Sequence, residues 1–197
     1  MSRKIVRHER RNQILQALHE CLKEKPFHQT SIKDIARKAG VNHGMLHYYF
    51  EDKEDILLKY IDFTYDRFWT IYDKQFNCKI KETTISVDTL SEIFHWTLDE
   101  ISFDPELARI FTEIWSLAVY NPAVMKKLKA HYRRWRNQMS SLLENIVSDK
   151  QMASKLGLSL IAISEGLSLL SVFFSRSDLC TTIDFPRMLQ SLALDKQ

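Results

Sequence analysis

Four glycines and four prolines in 197 residues leave this chain few places at which to turn. The prolines sit where helices begin or end: Pro26 just after Lys25, Pro105 behind Asp104, Pro122 behind Asn121, and Pro186 near the terminus. Between them, apolar residues recur at helical spacing and alternating runs are scarce, so the fold class is all-α. The pattern predicts helices from about 7 to 25, from 87 to 103, from 105 onward, from 122 to 147 and from 152 to 176. A long helix follows Glu51-Asp52, with Ile56, Leu57, Tyr60, Ile61, Thr64, Phe68, Ile71 and Tyr72 on one stripe, and the polar residues 77–84 read as a connector. No internal repeat or low-complexity run interrupts this.

Residues 31–50 hold two short helical patterns that meet at one glycine. Ser31 is a good N-cap, and Asp34 three residues on completes a weak capping box and favours the positive end of the helix dipole. Ile32, Ile35, Ala36 and Ala39 then recur on one face, with Lys33, Arg37 and Lys38 on the other. Gly40 supplies the positive φ of a tight exit, Val41 plugs the corner and Asn42 caps a second helix. In that helix Leu46 and Phe50 point inward, which leaves His43, Gly44, His47 and Tyr48 outward. So short a helix does not stand alone. A face of hydrogen-bonding rings around a glycine suits a DNA major groove, although capped short helices joined by glycine also occur in all-α proteins that bind no DNA.

Charge favours the nucleic-acid reading. Residues 1–50 carry ten basic and four acidic side chains, a net +6, whereas the whole chain is only +3 and the rest is therefore −3. One basic end on an otherwise acidic chain is what a single phosphate-facing domain requires. Arg3, Lys4 and Arg7 form an arm ahead of the first helix that reaches phosphate or a minor groove, or simply aids solubility.

The run Thr30-Ser-Ile-Lys-Asp-Ile-Ala-Arg-Lys-Ala-Gly-Val41, followed by Gly44, Leu46, Tyr49, Phe50 and Lys53-Glu-Asp-Ile-Leu57, resembles the N-terminal domain of TetR-type transcriptional repressors over roughly residues 8–60. The resemblance implies a homodimeric helical regulator that binds a palindromic operator on double-stranded DNA and leaves it when a small effector enters the C-terminal domain. It implies a three-helix DNA-binding domain over residues 1–52, with its helix-turn-helix at 31–50, and a larger helical ligand-binding and dimerisation domain over 53–197. Carried over position by position, it puts Ser31 on a phosphate, Lys33 on bases or backbone, and Asn42, His43, Gly44, Met45, His47, Tyr48 and Tyr49 in the contacting positions. Lys53 becomes a phosphate clamp. Met45 and His47 depart from the family's common threonine and tyrosine. Met45 loses a hydroxyl but suits a thymine methyl, and His47 can donate to a phosphate or base edge.

Farther on, Leu156, Leu160, Ile163, Leu167, Leu170 and Phe174 alternate spacings of four and three, a heptad seam, while Leu158, Ile161, Leu169, Val172 and Phe173 make a second apolar face. A helix apolar on two sides needs two covers, so the seam reads as a dimer interface or as the centre of a monomer core. Ser164-Glu-Gly-Leu167 resembles the family's dimerisation element. Aromatics crowd this half of the chain, and most read as core. Phe68, Tyr72, His95, Trp115, Ser116 and Glu165 are the candidate lining of a mostly apolar effector pocket. The basic run Lys126, Lys127, Lys129, His131, Arg133, Arg134, Arg136 reads as a solvated face.

The sequence holds no phosphate loop, nucleophile motif or other catalytic constellation, and implies no cofactor. His43 and His47 have the spacing of helical metal ligands but lack an evident third, so no metal site is expected. Cys21, Cys78 and Cys180 are odd in number and far apart, and no apolar signal region leads the chain, so a reduced cytoplasmic protein is expected, with Cys21 in the core. Residues 156–174 approach the length of a bilayer span, yet Glu165 near the centre costs about 2.5–3.5 kcal/mol on insertion scales, so a buried helix and no membrane partner are expected. The competing reading is an all-helical carrier or enzyme with a merely structural helix-turn-helix. Retention on DNA at low salt separates the two.

Overall fold

A computed structural model describes residues 3–82 and 85–180, among which nine α-helices and no strand occur. They are α1 (Arg3–Glu24), α2 (Ile32–Lys38), α3 (His43–Tyr49), α4 (Lys53–Glu82), α5 (Val87–Thr97), α6 (Pro105–Tyr120), α7 (Pro122–Leu143), α8 (Lys150–Leu170) and α9 (Arg176–Cys180). The chain divides into two compact units, residues 1–70 with 113–128, and residues 71–112 with 129–197. Compactness thus breaks the chain inside α4, α6 and α7 rather than at 52/53.

The first unit is built on Ile14 and Leu18 of α1, Ile35 of α2, Leu46 of α3 and Ile56, Leu57, Tyr60 and Ile61 of α4, all essentially inaccessible. Burial on this scale is the main stabilising term for such short helices. Cys21 belongs to the same core, and burial pushes its thiol pKa up. Polar ties reach across it: Gln13 Nε2 donates to the Ala39 carbonyl at the end of α2 (2.6 Å), and His19 Nδ1 lies 2.8 Å from the Tyr60 hydroxyl. The C-terminal half of α6 and the first turns of α7 belong here because they hold the N-terminal helices. Glu113 Oε1 accepts the Phe27 N–H (2.9 Å), Asn121 Nδ2 donates to Glu54 (3.0 Å) and Lys127 pairs with Asp62.

In the second unit Tyr72, Phe76 and Trp96 form an aromatic cluster with centroids 5.4–6.2 Å apart. Helix α8 turns Ala153, Gly157, Ile161, Ser164, Leu167 and Ser168 inward. A Cβ on Gly157 would stand 3.1 Å from Ser140 N, so α7 and α8 touch backbone to backbone at that level. The serines are not idle spacers: Ser164 and Ser102 hydroxyls bond at 2.8 Å, and Ser171 Oγ donates to the Ser102 and Ser168 carbonyls.

Several expected boundaries shift. The first helix begins at Arg3, so no arm precedes it among the described residues, and α4 continues through the polar stretch to Glu82. The helix expected over 87–103 gives way after Thr97 to a π-turn at Leu98–Ser102, closed by Phe103 N–H on the Leu98 carbonyl (2.8 Å). Helix α7 stops at Leu143, where the Asn145 side chain takes up the Ser141 and Leu142 carbonyls. Helix α8 stops at Leu170 because Ser175 and Asp178 cap a new helix with reciprocal bonds. Pro186 lies outside the described residues.

Candidate nucleic-acid interface

The turn at residues 26–53 assembles from local chemistry. Ser31 Oγ accepts the Asp34 N–H (3.1 Å) while Asp34 Oδ2 accepts the Ser31 N–H (2.9 Å), a complete capping box. Asp34 also takes Lys25 (2.8 Å) and Arg37 (2.9 Å), and the Lys25 ammonium with the Ser31 donors holds its carboxyl well below the usual carboxylate range. Helix α2 ends at Gly40 with φ 61°, the one positive φ among the described residues. Asn42 Oδ1 then accepts the Gly44 N–H (2.9 Å) and starts α3.

Buried Leu46 and Phe50 fasten α3 from below, so its opposite face is set outward. Asn42, His43, Gly44, Met45, His47 and Tyr48 are exposed, and Tyr49 is half-buried. The His43 and His47 rings meet edge to face at 5.5 Å, as do Tyr48 and Tyr49 at 4.9 Å. Ser31 and Lys33 are exposed beside them. Arg7, expected in a phosphate-reaching arm, instead lies on α1 with its guanidinium 5.6 Å over the Tyr48 ring, and Arg11, which sequence reasoning did not single out, lies 5.0 Å over Phe50. Their i, i+4 spacing on α1 was legible, but their partners 39 to 41 residues away were not. With Lys33 they give the surface around α3 the positive charge that phosphate contact needs.

Lys53 corrects the expectation of an outward clamp. Its ammonium donates to the Phe27 and Thr30 carbonyls, both at 3.0 Å, and stands 4.3 Å over the Phe27 ring; burial pushes its pKa below the usual lysine value. The carbonyls of the turn before α2, of which Phe27 O also accepts the Thr30 N–H (3.1 Å), draw it inward. At most one of its three N–H bonds is left for a phosphate.

The six effector candidates are divided between the two units. Phe68, Trp115 and Ser116 belong to the first unit, and Tyr72, His95 and Glu165 to the second. Ser116 and His95 face outward, with His95 Nδ1 2.7 Å from the Ser91 carbonyl of its own helix, and Tyr72 is buried in the aromatic cluster. The helical phase places His95 one turn past Ser91, off the apolar face that carries Ile93, Phe94 and Thr97. Those residues, with Trp135, Met139 and Ser164, line a small apolar cavity of about 20 Å³, room for a single water. Glu165, one turn beyond Ile161, accepts a 2.8 Å bond from the Tyr132 hydroxyl; burial raises its carboxyl pKa to about 7, opposed by that bond.

The dimer seam also divides. Leu167 is only 5% exposed and packs within its own protomer, Leu156, Leu160 and Ile163 are half-buried, and Leu170 and Phe174 are exposed. A straight helix repeats every 3.6 residues, so the inward line follows 157, 161, 164 and 168 and a 3.5-residue seam drifts off it. The exposed apolar face consists of Leu158, Leu169 and Leu170 and, past the end of α8, Val172, Phe173 (73% exposed) and Phe174. Helix α8 is long and apolar enough to cross a bilayer, yet one of its faces is spent on the core of its own unit. Among the described residues no group of three or more His, Cys, Asp or Glu is placed to hold a metal ion.

Comparison with known proteins covers both units. The family model for bacterial regulatory proteins of the tetR family matches residues 14–60, and that for the C-terminal region of BetI-type transcriptional repressors matches 86–179. The HTH-type transcriptional regulator BetI of Escherichia coli O45:K1 is 26% identical over 172 residues, 80% of each chain. A TetR transcription regulator from Haloarcula marismortui superposes with a TM-score of 0.76 at 21% identity, covering 95% of this chain and 98% of that one. A putative transcriptional regulator from Saccharomonospora viridis, solved in complex with choline, does so with a TM-score of 0.69 at 18% identity, covering 96% and 97%.

Proposed function

Since this chain belongs to the TetR family of bacterial regulatory proteins, we propose how its ligand-responsive repression of transcription is divided among its residues. It is a DNA-binding regulator of an all-helical class. The observation that carries the residue-level reading is the exposed α3 face of His43, Gly44, Met45, His47 and Tyr48, fixed by buried Leu46 and Phe50 and flanked by Arg7. On this reading α3 enters the major groove, Asn42, Tyr49, Ser31 and Lys33 contact its rim, and Arg7 meets a phosphate. The chain acts as a homodimer on a palindromic operator, joined through the apolar face of α8 and the turn after it, since two recognition helices must meet successive major grooves about 34–36 Å apart. A small effector enters the second unit between α5, α7 and α8; that the similar Saccharomonospora viridis protein was solved in complex with choline supports a small-molecule effector. The role is regulatory rather than enzymatic, in the cytoplasm and off the membrane.

The test is duplex binding by fluorescence anisotropy at low salt, then titrated with salt. Micromolar or tighter binding to any duplex at low salt, falling steeply as salt rises, is expected. No affinity for any duplex under those conditions sinks the reading and restores the carrier or enzyme alternative.

A further inference from the structure

We propose that His43 and His47 form a two-nitrogen chelate for a divalent transition-metal ion on the exposed face of α3. The residues stand four apart, so their side chains leave one face of the helix one turn from each other. Their ring centroids are 5.5 Å apart, with 81° between the planes. An ion held at roughly 2.0–2.1 Å from one nitrogen of each ring lies about 3 Å from each centroid, so one ion spans that separation with little movement of either ring. Both residues are exposed, and Gly44 beside His43 adds no side chain to crowd them. The ring nitrogens set this pair apart from the other histidines. His8 lies 3.2 Å from Asn12, His19 2.8 Å from Tyr60, His28 3.4 Å from Gln29 and His95 2.7 Å from the Ser91 carbonyl, each with a ring nitrogen engaged. Among the described residues neither His43 nor His47 makes a hydrogen bond or ion pair; each ring meets only the other.

The donor set is selective. Neutral imidazole suits zinc, nickel and copper, whereas magnesium and calcium require several oxygen ligands. Arg7 over the Tyr48 ring adds positive charge to this surface, which works against any ion held by charge alone and leaves coordination bonds as the source of affinity. No third protein ligand stands with the pair among the described residues, so the remaining positions of the ion go to water and the site stays open. The location gives that openness a consequence, one that rests on the reading of α3 as the helix that enters the major groove. An ion and its waters occupy the face that meets base edges, so bound metal and bound duplex exclude each other, and each weakens the other by the same factor.

The experiment is calorimetric titration of the tag-free full chain with Ni²⁺, Zn²⁺ and Mg²⁺ in a non-chelating buffer. Ni²⁺ and Zn²⁺ are expected to bind with dissociation constants below about 100 µM, and Mg²⁺ is expected not to bind in that range. His43→Gln and His47→Gln are each expected to weaken Ni²⁺ binding at least tenfold while the circular-dichroism spectrum stays unchanged. His28→Gln, at an exposed histidine elsewhere, is expected to leave it unchanged. Moving one ring by a residue, in the double variant His47→Gln with Tyr48→His, is expected not to restore it, because residues five apart do not share a helix face. No Ni²⁺ or Zn²⁺ binding below about 100 µM, equal binding of Mg²⁺, or undiminished binding in either histidine variant overturns the chelate. Duplex affinity at low salt is read separately, by anisotropy with and without Ni²⁺, and is expected to fall with Ni²⁺ in the natural chain but not in His47→Gln. An ion that binds through the pair without lowering duplex affinity keeps the chelate and overturns the placement of this face against base edges.

Discussion

At the scale of single residues, Lys53 shows how a motif position takes on a structural duty. Its ammonium closes the turn before α2 through two carbonyls and a ring. Charged hydrogen bonds of this kind contribute about 1.5–3 kcal/mol, so Lys53→Ala is expected to lower the unfolding midpoint by several degrees as well as weaken DNA binding. A variant with an unchanged midpoint and a salt slope reduced by one charge would restore the phosphate clamp. Glu165 makes the second residue-scale prediction. Its folded pKa of about 7 lies above the ordinary 4.5, so the native state holds a proton that the unfolded chain gives up. The associated stability is therefore complete below pH 4.5 and is lost as pH rises through 7, on the order of 3 kcal/mol by pH 8. Urea unfolding at equal protein concentration should show this decline between pH 5 and 8, and Glu165→Gln should flatten it. The capping box, Gly40 and Asn42 were legible in sequence because their partners lie within four residues. The partners of Lys53, Arg7 and Glu165 lie 23 to 41 positions away, beyond any local pattern.

At the scale of elements, α8 carries the sharpest contrasts. Gly157 stands backbone to backbone with Ser140, so Gly157→Ala is expected to destabilise by about 1–3 kcal/mol. Gly166 has open space around it in the protomer, so Gly166→Ala is expected to gain about 0.5–1 kcal/mol from helix propensity alone. A loss at Gly166 measured at dimer-forming concentrations would place a partner helix against it. The interface prediction moves with the structure. Phe173→Asp, on the exposed face, should give folded monomers with weak operator affinity, whereas Leu167→Asp should unfold the second unit by placing an unpaired carboxylate in its core. Sedimentation alongside circular dichroism distinguishes them, and a folded dimer for Phe173→Asp would locate the interface elsewhere. Element identity was legible from periodicity, but several helix ends were not. The π-turn at Leu98–Ser102, the stop at Leu170 and the extension of α4 to Glu82 depend on which backbone groups find partners, and single-window propensity does not specify that.

At the scale of the whole molecule, repression and effector binding are linked by thermodynamics whatever the path between the units. An effector that lowers operator affinity by a given factor must itself bind the operator complex more weakly by the same factor, and paired titrations with and without DNA should return equal values. Unequal factors would mean that a third equilibrium, dimer dissociation foremost, is being read as coupling. The amino-acid sequence by itself determined the all-helical class, the two capped helices that meet at Gly40, the outward set of His43, Gly44, Met45, His47 and Tyr48, and the basic character of the N-terminal end. These follow from helical phase, caps and charge, all of which act over a few residues. The tertiary structure alone decided that Lys53 turns inward, that Leu167 belongs to its own protomer, that residues 113–128 join the N-terminal unit, and that Tyr132 meets Glu165. Those are choices among competing burials and long-range partners, and they are settled only when distant helices compete for the same surface.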